Sequence, residues 1–158
     1  MRAAAARMQG RFDEARELYL ESQDLCRQLG NEAGVAGENH NLTHVALHAG
    51  DLDEARRRYE AFRDWTFAHD NAYLLPYALL DSGVLALHSR NPGLGATLMG
   101  AAQRAFRDSA SIPDPDDALE VEHASMRLRH ELGAKFEENS AEGENLSPGE
   151  ARSLALSV

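Results

Sequence analysis

The sequence predicts an all-α protein, a superhelix of stacked helix hairpins closed by a C-terminal helical cap. Three observations lead there. Ala, Leu, Glu and Arg dominate the 158 residues while Val, Ile and aromatic residues are sparse, which favours helix wherever Gly and Pro are absent. A seven-residue turn recurs after forty residues, and the segments on both sides of it carry apolar residues at helical spacing.

The turn Gly10-Arg11-Phe12-Asp13-Glu14-Ala15-Arg16 returns as Gly50-Asp51-Leu52-Asp53-Glu54-Ala55-Arg56. The period continues, with Tyr19 mapping to Tyr59 and then Met99, Ala15 to Ala55 and then Gly95, and His48 to His88. After each turn one side of a helix is apolar: Phe12, Ala15, Leu18, Tyr19, Leu25, Cys26 and Leu29, then Leu52, Ala55, Tyr59, Phe62 and Trp65. Before the second and third turns lie periodic segments from Val35 to Ala49 and from Tyr73 to Ser89, so each forty residues form an αα-hairpin. Gly10 and Gly50 can take φ > 0 to end one helix, and Asp13, Glu14, Asp53 and Glu54 lie in the first turn of the next, where the helix dipole favours acids. One helical-repeat domain is expected over 1–158, with an incomplete first repeat (1–30), a second (31–71), a third (72–110) and capping helices (111–158).

In the capping region Asp114 is placed to cap, and Pro115 to open, a helix carrying Ala118, Val121, Ser125, Leu128 and Leu132, which Gly133 ends. A short amphipathic turn around Phe136 and a polar stretch from Glu137 to Asn145 follow. Ser147-Pro148-Gly149-Glu150 has capping-box spacing, and Ala151, Leu154, Ala155 and Val158 give a closing helix one apolar side.

The Gly-x-aromatic/aliphatic-Asp-Glu-Ala turn resembles the tetratricopeptide repeat, whose common period is about 34 residues, and the longer spacing here also overlaps the HEAT range. From Arg90 onward the chain further resembles the C-terminal end of the MalT-like helical-repeat region of actinobacterial LuxR-type and AfsR-like ATPase transcriptional regulators. The residues that carry this are Asn91-Pro92, Leu98-Met99-Gly100-Ala101-Ala102-Gln103, Leu132-Gly133, Phe136, Ala141-Glu142-Gly143 and Leu146-Ser147. Ser140 stands where that family often has Trp. The resemblance implies a region that senses or relays, alongside separate nucleotide-binding and DNA-binding modules. Neither a G-x-x-x-x-G-K-[ST] phosphate loop nor a basic recognition helix is present in this sequence.

With 26 acidic residues against 16 Lys and Arg, the formal charge of −10 disfavours direct nucleic-acid binding, which needs clustered basic side chains. No apolar run approaches the roughly 18 residues of a spanning helix and no secretory signal opens the chain, so it reads as cytoplasmic. Cys26, the single cysteine, reads as a small core residue. His40, His44 and His48 share one side of a helix, but at roughly 1.5 Å rise the outer two stand about 12 Å apart, too far for one metal to take all three. They read as a solvated polar stripe, and neither a metal nor a cofactor is expected. His123 and His130 with Glu120 and Glu131 read as charged surface, and no nucleophile has a recognisable base, so no enzyme is expected.

Stacked hairpins create a concave surface lined by the first helix of each pair. On this alignment Gly37, His40, Asn41, His44, Leu47 and His48 line it, followed by Tyr77, Leu80, Asp81, Val84, Leu87 and His88. Such a groove suits a peptide, helix or neighbouring domain, so the first functional expectation is a non-catalytic protein-interaction module of a signalling or transcriptional regulator. A MalT-like small-molecule sensor and an oligomerisation scaffold are the alternatives. The leading segment of the first hairpin, ending at Gln9, spans roughly 14 Å against roughly 27 Å for Phe12 to Leu29, which leaves Leu20, Leu25, Cys26 and Leu29 on a half-covered edge. A second copy of the chain, or helices upstream, is expected to cover that edge.

Overall fold

A computed structural model describes residues 2–158. Nine helices and no strand occur among the described residues: α1 (Arg2–Met8), α2 (Phe12–Gln28), α3 (Glu32–His48), α4 (Leu52–Ala68), α5 (Leu75–His88), α6 (Pro92–Asp108), α7 (Pro115–Leu132), α8 (Lys135–Asn145) and α9 (Pro148–Ala155). No helix is long and apolar enough to cross a membrane among the described residues.

The turns follow a shorter period than the forty-residue repeat. A left-handed residue recurs every twenty positions, at Gly10, Gly30, Gly50, Asp70, Arg90 and Ala110. At Gly50, where φ is 76°, the amide donates to Leu47 O at 3.1 Å while the Asp51 amide reaches back to Ala46 O at 2.9 Å. This pair of bonds satisfies carbonyls at the helix end that have no intrahelical partner. At four of the six turns the following residue then caps the next helix: Asn31 accepts from the Gly34 amide, Asp51 from Glu54 and Asn91 from Leu94. Asn71 does the same for the Leu74 amide just ahead of α5. Arg11 makes no such bond. The forty-residue hairpin is thus two twenty-residue units of helix plus turn.

The chain divides into two compact units, Met1–His69 and Asp70–Val158. In the first, α1 to α4 pack in sequence as antiparallel hairpins. Ala6, Ala15, Tyr19, Leu42 and Val45 form one buried cluster, while Ala55, Tyr59 and Phe62 bury the inner side of α4. The repeat residues Ala15, Ala55, Tyr19 and Tyr59 all lie in this interior, as helix pairs in close contact require. Gln23 is fully buried and fully engaged. Its amide nitrogen donates to Asn39 Oδ1 at 2.9 Å and Val35 O at 3.3 Å, and its Oε1 accepts from Arg27 and Arg58. A buried amide is tolerated because its polar atoms are paired.

Gly37 sits inside α3 with nothing within 4 Å of where a Cβ would stand. Gly→Ala in a helix interior gains about 0.8–1 kcal/mol of propensity. Gly37→Ala should therefore raise the free energy of unfolding by about that amount in urea titration. A loss of stability would mean that this face of α3 is in close contact with another element.

In the second unit α6 is central, packed extensively against α5 and α8 and more lightly against α7 and α9. Pro115 opens α7 as expected, but Asp114 makes no side-chain capping bond, and Gly133 at φ 56° ends the helix. The Ser147/Glu150 capping box is formed: Glu150 N donates to Ser147 Oγ at 3.3 Å and Ser147 N to Glu150 Oε2 at 2.8 Å. The polar stretch after Phe136 departs from the expectation, because Lys135–Asn145 is one continuous helix. Its glycine explains why. A Cβ at Gly143 would lie 1.8 Å from Thr97 O, and one at Gly100 would lie 2.0 Å from Ser140 O, so α8 rests backbone to backbone on α6. That packing, with Phe136 and Ser140 buried, outweighs the low apolar content of α8.

Candidate functional site

Eight of the twelve expected groove residues are buried: His40, His44, Leu47, Tyr77, Leu80, Asp81, Val84 and Leu87. Gly37, Asn41 and His88 are half-buried, and His48 is exposed. The reason lies in the packing. α3 is flanked by both α2 and α4, and every residue of α5 from Pro76 to Leu87 is buried. The histidine stripe, expected to be solvated, is correspondingly divided. His40 packs edge-on against His44 with ring centroids 5.1 Å apart and lies 5.3 Å from the Phe62 ring, while His48 stacks on Phe12 at 4.2 Å. His123 and His130 are exposed on α7.

The half-covered edge of the first hairpin is present. α1 has seven residues against seventeen in α2, and Leu25 and Leu29 remain 52% and 81% exposed. Leu20 and Cys26 are half-buried, with the Cys26 sulfur lying against Gly34. The first unit also holds a shallow cleft of about 370 Å³ between the end of α2, the start of α3 and the end of α4, bordered by Cys26, Asn31, Val35 and Trp65.

The second unit contains a larger and more enclosed cavity that sequence reasoning missed. It measures about 490 Å³ and is built from three segments: the first turn of α5, the last two turns of α6 and the α8–α9 junction. Pro76, Leu79 and Ala101 form a buried floor, and Ala151 closes one wall. The cavity exists because small residues face each other. α9 buries only Ala151 and Ala155, and α6 offers Ala101 and Ala105, so the helices leave a gap that no side chain fills. Leu146, in an extended conformation, turns the chain from α8 into α9 and lines the same space.

The mouth is polar, and Arg104, the cation that lines it, is already engaged, as is Arg107 nearby. Arg104 Nε donates to both Asp108 oxygens at 2.8 Å, and Arg107 donates to Glu144 Oε2 at 2.8 Å. Glu150 is held below the ordinary carboxylate range by hydrogen bonds from the Ser147 hydroxyl and amide. Its carboxylate also lies in the first turn of α9, where the helix dipole favours negative charge. An apolar floor of this volume with a few orienting polar groups is the usual form of a recognition pocket.

The fold is all-helical, packed as antiparallel hairpins, with a partly enclosed cavity in the second unit. No family model, curated protein or solved structure matches the chain.

Proposed function

We propose that this protein is a non-catalytic interaction module, in which the cavity between α5, α6 and the α8–α9 junction takes the apolar anchor of a partner peptide or helix. The observation that carries the reading is the 490 Å³ apolar cavity left between facing alanines and bordered by polar side chains. The tetratricopeptide-like turn and the likeness of residues 90–147 to the helical-repeat arm of transcriptional regulators support the setting: a cytoplasmic regulator whose hairpin stack relays binding to other modules. The cavity volume also falls within the range of small-molecule sites, which favours the effector-sensor reading as the second.

Selection of a random dodecapeptide library against the purified protein tests the first reading. Ala105 lines the cavity and is half-buried, so Ala105→Phe should fill it without disturbing the floor. Peptides enriched on the native protein are expected to lose at least tenfold in affinity on the Ala105→Phe variant, with melting temperature changed little. Absence of enrichment, or retention of affinity by the variant, would sink the peptide reading. Fragment binding that Ala105→Phe blocks, without any peptide enrichment, would replace it with the sensor.

A further inference from the structure

We infer that the partner segment is basic, a cationic amphipathic peptide whose apolar anchor enters the cavity while its Lys or Arg side chains meet the carboxylates around the mouth. This rests on the interaction reading above and adds the chemistry of the partner.

The charge distribution supports it. Residues 70–158 carry 14 acidic against seven basic side chains, so the second unit holds −7 of the formal −10, and the cavity lies wholly within it. Asp108 and Glu150 line the cavity together with Arg104, the Arg107–Glu144 pair stands beside the lining residue Asn145, and Glu142 borders the adjoining hollow. Both cations spend their hydrogen bonds on this rim, Arg104 on Asp108 and on Glu144 O at 3.4 Å, Arg107 on Glu144. A partner carboxylate would have to break one of these pairs, whereas an ammonium or guanidinium adds to a surplus of acceptors. Glu142 and Glu150 also border an open neighbouring hollow of about 760 Å³, which shares Leu146, Ser147 and Glu150 with the cavity. A carboxylate-rimmed recess with low-dielectric walls concentrates cationic partners and raises their association rate.

Fluorescence anisotropy with three labelled amphipathic peptides tests this: one carrying Lys on its polar face and a single Trp anchor, the same peptide with Glu for Lys, and a third with Gln for Lys. The Lys peptide is expected to bind at least tenfold more tightly than the Gln peptide and to weaken as NaCl is raised from 50 to 300 mM, with no binding of the Glu peptide. The double variant Glu142→Gln/Glu144→Gln should weaken the Lys peptide by about three- to tenfold and leave the Gln peptide unchanged, and Ala105→Phe should weaken both. Equal affinity of the Lys and Gln peptides, both blocked by Ala105→Phe, would overturn the basic-partner inference while leaving the interaction reading intact. Lys-peptide binding that is insensitive to Ala105→Phe would be surface attraction alone and would overturn both.

Discussion

Gly143→Ala is expected to destabilise the second unit by about 3 kcal/mol or more, the upper end of what overpacking usually costs. The added methyl would stand 1.8 Å from Thr97 O and 2.9 Å from Ala101 N. Both are backbone atoms of α6, held by helical hydrogen bonds, and cannot swing away as a flexible side chain could. α8 would have to lift off α6, withdrawing Phe136 and Ser140 from the interior and opening the contact at Gly100, where the Ser140 carbonyl is equally close. For a unit of this size the melting temperature should fall by more than 10 °C, since 1 kcal/mol corresponds to roughly 4–8 °C. Gly149→Ala is the control, because nothing lies within 4 Å of its missing Cβ. Similar small shifts in the two variants would show that α6 and α8 do not approach so closely.

Leu87→Glu is expected to cost about 3 kcal/mol or more, or to prevent folding. Leu87 is 2% exposed, and an isolated carboxylate in such a place either loses its hydration or takes up a proton. His44→Glu should behave in the same way, since His44 is 1% exposed. Ile112→Glu, at a residue 82% exposed, is the matched control and should change stability by less than about 0.5 kcal/mol. Circular dichroism melts of the three variants distinguish interior from surface. Had these positions lined an open groove, both replacements would leave the melting temperature near that of the control, and such a result would return α3 and α5 to consideration as a binding surface.

Much of this protein was written locally and could be read locally. Helix content follows from composition, the ends of the helices from Gly10, Gly50, Gly133 and the Ser147-Glu150 box, and the exposure of Leu25 and Leu29 from the unequal lengths of α1 and α2. The twenty-residue period was legible too, in Gly30-Asn31, Gly50-Asp51, Asp70-Asn71 and Arg90-Asn91, but the glycine marker is missing from half of those turns, and Asp70 and Arg90 take the left-handed conformation without it. These features depend on bonds among residues a few positions apart, which is why order along the chain suffices to find them.

What the tertiary structure alone decided is which sides of those helices meet. The spacing of His40, His44 and Leu87 places each on a helix face, yet whether that face is open or covered depends on neighbours distant in sequence. α8 is helical throughout because Gly143 and Gly100 allow a backbone contact that its own polar sequence does not announce. The cavity is the clearest case. Its walls come from residues 72–79, 101–109 and 145–151, and each contributes ordinary alanines and leucines that carry no motif. A void is a property of the space between segments, set by how small residues on one helix fall opposite small residues on another, and that pairing is absent from the linear order of the chain.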